Sequence, residues 1–242
     1  MGKGRERGLK MTTTQTTGRI PQQESARAAW LVGIVIILVL IADQALKIWV
    51  KTNFYLGESL EITSWWQLKF IENNGMAFGM ELWNKLFLTF GRIAAVILFI
   101  WIISRLVIQK VWKKGFLVAL ALITAGAAGN IIDCVFYGEL FSNPMPPATA
   151  EFLPSGGGYA SWFEGRVVDM LYFPLFSWTW PSWMPIVGGE EYEFFQYIFN
   201  IADSAICIGV AMLIFFYSKD ASEAYSVIFT NKEKEDNAAK KV

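Results

Sequence analysis

The chain has 242 residues, and its 21 lysine and arginine residues balance its 21 aspartate and glutamate residues. It contains no histidine and only two cysteines, which excludes Ser-His and Cys-His catalysis, imidazole-bound zinc and a Cys₄ metal cluster. Zero net charge without a basic domain argues against nucleic acid as a partner. Apolar residues make up 54% of the chain before glycine is counted, whereas soluble domains reach about 45–50% with glycine included.

Four long apolar segments predict four transmembrane helices. They cover residues 28–50, 86–104, 115–136 and 194–217. At about 1.5 Å per residue, each is long enough to cross a hydrocarbon core of about 30 Å. The alternative is a soluble protein with buried core helices, but four such lengths in one small chain are typical of a membrane protein.

The distribution of lysine and arginine predicts the orientation of these spans. Residues 1–27 carry six of them, residues 105–114 carry four, and the tail from residue 218 carries five. Because positive charge stays in the cytoplasm, both termini should be cytoplasmic and the loops 51–85 and 137–193 external. The chain then divides into a disordered cytoplasmic N-terminus at 1–27, a four-span domain at 28–218 and a cytoplasmic tail at 219–242, and the first span is an uncleaved anchor.

The two external loops have their own patterns. Residues 61–72 (EITSWWQLKFIE) are rich in β-branched and aromatic residues, which predicts strands. The second loop concentrates tryptophan and tyrosine between residues 159 and 183, which favours a position at the headgroup level and a lid over whatever lies beneath. The predicted fold class is an all-α membrane protein with four transmembrane helices and a small extracytoplasmic β-rich cap.

Every predicted span carries polar residues, which cost free energy within a membrane. Counted from the predicted span ends at about 1.5 Å per residue, all of them fall in the outer half of the bilayer. This agreement predicts one shared site below the external loops. The residues concerned are Asp43, Lys47, Arg92, Asn130, Asp133, Asn200 and Asp203.

Simpler roles remain open for most of these residues. Asp43 and Lys47 are four residues apart and can form an ion pair near the interface, and Arg92 can extend to the headgroups. The asparagines can join helices by hydrogen bonds. Asp203 is the hardest to explain in this way, because a carboxylate about 14 Å deep persists only if it is paired, protonated or used.

Five short segments, read in order, resemble the lipoprotein signal peptidase family, also called signal peptidase II. They are DQALK at 43–47, NNGMAFG at 73–79, GNIID at 129–133, VVDM at 167–170 and FNIADSAI at 199–206. Members of that family are intramembrane aspartic proteases. They remove signal peptides from bacterial prolipoproteins just before a cysteine that carries diacylglyceryl.

The resemblance implies specific roles. The catalytic pair is Asp169 and Asp203, and the residues expected to bind substrate or support the site are Asp43, Lys47, Asn73, Gly75, Arg92, Asn130, Asp133 and Asn200. It implies a multi-pass enzyme of the bacterial inner membrane with its site toward the outer face, an outer β-cradle at 54–80, and inhibition by globomycin. We expect no metal, no cofactor and a monomer whose partners are diacylated prolipoproteins and membrane lipid.

Two features depart from the family pattern. Cys134 stands where the family usually has arginine after its GNxxD segment, and the segments on both sides of Asp169 are longer than usual. The alternative function is a small ion- or proton-coupled transporter that uses the intramembrane aspartate and arginine groups. A GxGD-type intramembrane aspartic peptidase and a non-catalytic assembly factor are further alternatives, although the chain has no GxGD segment.

Two carboxylates in one site should share a single proton near neutral pH. The expected depth of Asp203, compared with a loop position for Asp169, predicts that Asp203 holds the proton more often, because desolvation favours the neutral form.

Overall fold

Helices make up most of the described chain, which is residues 22–73, 82–110 and 112–230 of this computed structural model. Helix α1 covers Gln22–Asn53, α2 Leu82–Gln109, α3 Lys114–Leu140, α4 Ile201–Phe215 and α5 Ser218–Tyr225, and a π-helical turn follows at Ser226–Thr230. The predicted site residue Gly75, residues 1–21 of the predicted N-terminal segment and residues 231–242 of the predicted tail lie outside the described residues.

Three of these helices are each long and apolar enough to cross a membrane. The segments are Gln23–Asn53, Leu86–Gln109 and Lys114–Leu140. Helices α4 and α5 pass the same test only together, as a pair bent by 85°. The described residues therefore contain three candidate spans, or four if the bent pair counts as one.

The last predicted span differs from the structure at its outer end. The sequence predicts it from residue 194, whereas α4 begins at Ile201. Asn200 sets this N-terminal end of the helix, because its side chain accepts the backbone N–H of Asp203 as an N-cap. Of the residues before it, Phe194, Ile198 and Phe199 lie in strands and 195–197 are irregular. Helix α4 alone is about 22 Å long, shorter than a hydrocarbon core of about 30 Å.

Six short strands accompany the helices in the described residues. They are β1 Ser59–Thr63, β2 Trp66–Asn73, β3 Val167–Tyr172, β4 Phe176–Thr179, β5 Glu191–Phe194 and β6 Ile198–Phe199. Four of them form an antiparallel sheet, hereafter the cap sheet, in the order β1-β2-β3-β6, and β4 and β5 form a separate hairpin. The cap sheet therefore takes β3 from the second external loop and β6 from the start of the predicted fourth span, and the fold is mixed rather than all-α.

Helix α3 lies at the centre of the helices and packs against α1, α2 and α4. Two glycines permit its close contacts with α4 and α1. A methyl group at Gly126 would lie 2.2 Å from the backbone oxygen of Ala202 on α4, and one at Gly129 would lie 2.7 Å from a carboxylate oxygen of Asp43 on α1. The outer faces of the other helices are apolar and exposed, as at Trp30 and Phe215, which suits contact with lipid.

Two apolar clusters lie on either side of the polar residues. One joins α1, α2, α3 and α5 around Leu106 and Leu117. The other joins the end of α1, the end of α3 and the cap sheet around Phe70, Phe141 and Met170. The sheet is thus attached to the helices by an apolar core of its own, which fixes β3 above the ends of α1 and α3.

We expect Gly126→Ala to destabilise the protein by about 1–3 kcal/mol, the usual cost of overpacking a tight contact. The added methyl would meet the Ala202 carbonyl, so α3 and α4 would have to separate. The free energy of unfolding in detergent measures this effect. Gly33→Ala is the matched control, since nothing lies within 4 Å of its added methyl, and equal stability of the two variants would contradict the prediction.

Candidate active site

A buried lysine lies at the centre of the polar residues. The ammonium of Lys47 on α1 is fully buried and forms an ion pair with Asp43 at 2.9 Å. It forms a second ion pair with Asp133 of α3 at 2.8 Å and donates to Oδ1 of Asn130 at 2.9 Å. An ammonium has three N–H donors, and each has an acceptor here. One cation therefore joins α1 to α3.

Two asparagine side chains extend this cluster to α4 and β3. The amide of Asn130 donates to Oδ1 of Asp203 at 2.7 Å. The amide of Asn200 donates to Oδ1 of Asp169 at 2.7 Å and also to Oδ1 of Asn130 at 3.2 Å. The Asn200 side-chain oxygen accepts the backbone N–H of Asp203 at 2.8 Å. Asn200 thus contacts both residues of the predicted catalytic pair.

The other two carboxylates of the cluster accept hydrogen bonds from backbone N–H groups. Oδ1 of Asp43 accepts the N–H of Ala202 at 2.8 Å, at the positive N-terminus of α4. Oδ2 of Asp133 accepts the N–H of Val168 at 3.2 Å, next to Asp169 on β3. Each supporting carboxylate therefore fixes an element that carries one member of the predicted pair.

Asp169 lies in strand β3 and is 2% exposed. Burial, and then the negative charge of Asp203, raises the pKa of Asp169 to about 7. Asp203 is only half-buried. The sequence predicts Asp203 as the usual holder of the proton because it predicts Asp203 to be the more buried aspartate. In the structure Asp169 is the more buried of the two. The reason is that the cap sheet and α3 enclose β3, whereas the sequence predicts a loop closer to water at that position.

The remaining predicted site residues lie at the edge of this cluster or outside the described chain. Arg92 of α2 is half-buried and donates to the sulfur of Cys134 at 3.6 Å. Asn73 ends β2, opposite the first residue of β3. Gly75 is not among the described residues. The Asp43–Lys47 ion pair, one of the simpler alternatives, is present and is part of the cluster.

Two residues without a predicted site role, Gln44 and Tyr137, complete the cluster. The Gln44 amide donates to Asp43 at 3.1 Å, to Asp133 at 3.0 Å and to the Gly129 carbonyl at 3.2 Å. Its oxygen accepts the hydroxyl of Tyr137 at 3.0 Å. Gln44 could have been identified from the sequence, because a glutamine within an apolar span costs free energy. Tyr137 could have been identified from its position one helical turn after Asp133.

A second buried lysine forms a separate network one turn further along α1. Lys51 is fully buried and pairs with Glu72 of β2, and Glu72 also pairs with Arg166 at 2.7 Å. Three aromatic rings surround the Lys51 ammonium at 4.9–5.9 Å, those of Phe70, Phe141 and Tyr159. No pattern in the sequence joins these charges, because they lie far apart in the chain.

Arg166 connects this network to the start of β3. Its guanidinium also donates to the side-chain oxygen of Asn143 at 3.1 Å, and the guanidinium carbon lies 4.7 Å from the centre of the Tyr159 ring. The backbone N–H of Arg166 donates to the hydroxyl of Tyr159 at 2.7 Å. Arg166 precedes Asp169 by three residues. The network therefore holds the segment that enters the strand carrying Asp169.

Comparison with known proteins places this geometry in a family context. The family described as signal peptidase (SPase) II matches residues 35–219. A lipoprotein signal peptidase of Porphyromonas gingivalis is 48% identical over 204 residues, which cover 84% of this chain and 87% of the relative. One of Amoebophilus asiaticus is 36% identical over 194 residues, 78% of each chain. A solved bacterial membrane enzyme, determined by the in meso method, superposes with a TM-score of 0.50 at 25% identity, over 79% of this chain and 90% of that one.

We expect Glu72→Gln to destabilise the protein by about 3–5 kcal/mol, the usual cost of leaving a buried charge without its partner. The glutamine side chain would keep the shape of the glutamate but would lack the charge that neutralises Lys51. The measurement is the free energy of unfolding in detergent.

The double variant Lys51→Met with Glu72→Gln removes both buried charges and should recover most of the loss. If the double variant is as unstable as the sum of its single variants, the two side chains do not act as a pair.

Proposed function

The chain belongs to the signal peptidase II family, and from that membership we propose that it removes signal peptides from bacterial prolipoproteins by aspartic peptidase chemistry. We further propose that cleavage falls just before a diacylglyceryl-modified cysteine. Asp169 and Asp203 are the proposed catalytic residues. The observation that carries this proposal is the contact of one buried side chain, Asn200, with both of them. The transporter alternative has no comparable support.

The two aspartates have different surroundings. The raised pKa of Asp169, about 7, keeps its carboxyl protonated at slightly acid pH. Asp203 lies half-buried in the first turn of α4, and its carboxylate accepts the amide of Asn130. A protonated acid beside an ionised base is the arrangement that hydrolysis by two carboxylates requires.

The proposed reaction follows from this difference. Asp203 takes a proton from water as the water oxygen bonds to the scissile carbonyl carbon, and Asp169 gives its proton to the carbonyl oxygen. The resulting tetrahedral diol collapses when the C–N bond breaks. Asp203 then passes its proton to the departing nitrogen and Asp169 recovers one from a hydroxyl. The products are a free carboxyl group on the signal peptide and a free amine on the cysteine.

The other proposed site residues position this pair. Lys47 neutralises Asp43 and Asp133, so that both can hold backbone next to the catalytic residues. We assign to Arg92 the guanidinium that the family pattern has directly after Asp133, since it reaches the sulfur of the cysteine that stands there. Asn73, which lies opposite the first residue of β3, is proposed to contact the substrate, and the family resemblance extends that proposal to Gly75.

We place the enzyme in the inner membrane with its site toward the outer face, as the distribution of positive charge predicts. A site at that depth suits a substrate whose acyl chains remain in the bilayer. Lipid contacts then supply much of the affinity, and peptide recognition can be loose. The same site is the proposed target of globomycin-type inhibitors.

Asp169→Asn and Asp203→Asn should each lower cleavage of a diacylated prolipoprotein by about 10²–10⁴-fold, the usual contribution of a general acid or base. Asparagine keeps the shape of each side chain, so insertion and folding should persist. The assay follows the size shift of the substrate with purified protein in detergent.

Asp220→Asn is the matched control. Asp220 pairs with the exposed Lys113 and follows the end of α4 opposite to the end that carries Asp203, so the activity of this variant should equal that of the wild type. Retention of more than about a hundredth of wild-type turnover by either active-site variant, a smaller loss than acid–base catalysis supplies, would remove that residue from the catalytic pair.

The raised pKa of Asp169 also predicts two pH dependences. Activity should fall as pH rises through about 7, because the proton of the acid is lost. Ionisation of buried Asp169 costs stability between its ordinary pKa of 3.8 and about 7. Asp169→Asn should therefore raise the unfolding midpoint more at pH 8 than at pH 4, and a midpoint shift independent of pH would contradict this.

A further inference from the structure

The hairpin formed by β4 and β5 has an unusual place in the fold. It lies in the chain between β3, which carries Asp169, and α4, which carries Asp203. Its strands pair only with each other among the described residues, and not with the cap sheet. A single hairpin is at best marginally stable in water, so its environment must contribute to its stability.

The register of the hairpin divides its side chains into two faces. On one face the rings of Phe176 and Phe194 stack at 4.8 Å, and those of Trp178 and Tyr192 lie 4.6 Å apart. The opposite face carries the pairs Ser177 with Glu193 and Thr179 with Glu191. The hairpin is therefore amphipathic, with an aromatic face and an acidic, polar face.

One residue of the polar face is bonded to β3, and most of the aromatic face is exposed. The hydroxyl of Tyr172, the last residue of β3, donates to the Glu193 carboxylate, and burial together with this bond raises the pKa of Tyr172 to about 12. On the other face, Phe176 is 57% exposed and Phe194 42% exposed. The hairpin is thus joined to β3 through Glu193, whereas three of its four aromatic-face residues are exposed and Trp178 is half-buried.

The connection between the two strands is also apolar and open. Trp183 is 78% exposed and Ile186 is 97% exposed. Ile186 has a φ of 77°, which is a rare conformation for a β-branched residue and leaves its whole side chain outside the protein. An isoleucine and a tryptophan so exposed at a tip are unfavourable in water.

The chemistry of the segment identifies what covers these surfaces. Residues 167–218 contain no lysine or arginine, whereas Glu190, Glu191 and Glu193 are all acidic. The segment therefore offers no cation to an anionic partner. The chain continues from the hairpin through the two-residue strand β6 into α4, one helix of the bent candidate span. Tryptophan and tyrosine are enriched at the boundary between membrane and water.

We propose that the aromatic face and the tip of the β4–β5 hairpin dock into the headgroup region of the bilayer beside the site. The occupant of the open surface is a zwitterionic phospholipid interface, since the acidic face disfavours anionic lipid. This contact holds the segment between the two proposed catalytic residues at a fixed height on the membrane. The proposal does not depend on the peptidase reaction, and its test does not measure activity.

Nitroxide labels at introduced cysteines test the proposal in phosphatidylcholine nanodiscs, with the full chain in a Cys207→Ala background. Cys134 is kept, because it is buried and closed to the label, and the Cys207→Ala protein without an introduced cysteine gives the labelling background. The labelled variants are Ile186→Cys at the tip and Phe176→Cys on the aromatic face, and Thr179→Cys on the polar face is the matched control. Power saturation compares the access of oxygen, which partitions into lipid, with that of a water-soluble nickel chelate. If Phe176→Cys weakens the hairpin, Phe194→Cys samples the same face.

The labels at Ile186 and on the aromatic face should be more accessible to oxygen, and the label at Thr179 more accessible to nickel. Preferential nickel access at all three positions would show that the hairpin stands in water and would overturn the proposal. Lipid exposure at the tip alone would overturn docking of the face. A short distance between labels on two copies would identify a second chain as the occupant, with the same consequence.

Discussion

The charge of Lys47 is the constraint on which the arrangement of the site depends. A fully buried ammonium is tolerated only when it is paired and hydrogen-bonded, and this one has Asp43, Asp133 and Asn130 as its three acceptors. Those acceptors come from α1 and α3, so the two helices can pack in one register only. Because the same carboxylates accept backbone N–H groups of α4 and β3, the requirement to neutralise one cation also places the elements that carry Asp169 and Asp203.

The amides between the carboxylates have a different role from the lysine. Asn130 and Asn200 donate to the two proposed catalytic residues without adding charge. A cation in their place would favour the ionised form of both aspartates, and the pair would lose the shared proton that hydrolysis needs. The ammonium of Lys47 instead pairs with Asp43 and Asp133, the two aspartates that accept backbone N–H groups. Four carboxylates thus divide into two pairs by their neighbours, although all four belong to one hydrogen-bonded cluster.

Strand β3 is held from both sides. Asp133 accepts the N–H of Val168 from below, and the network of Lys51, Glu72 and Arg166 holds the segment that leads into the strand. The two buried lysines lie one turn apart on α1, so a single helix sets the position of the site and of the cap above it. By contrast, the β4–β5 hairpin that follows β3 has no such network on its aromatic face among the described residues. Rigid placement of Asp169 is therefore combined with an open amphipathic surface beside it.

The sequence by itself determined the class of the protein, its apolar segments and most members of the polar cluster, because apolar length and the cost of a polar residue in a span are local properties. The short segments around Asp43, Asn130, Asp169 and Asp203 were enough to indicate the family. Tertiary structure alone decided which groups pair, that Asp169 is the more deeply buried aspartate, and that residues before Asn200 form strands rather than helix. It also decided that Lys51, Glu72 and Arg166 form one network. These features arise from contacts between residues far apart in the chain, where burial is set by what the folded chain places around each group and not by its neighbours in sequence.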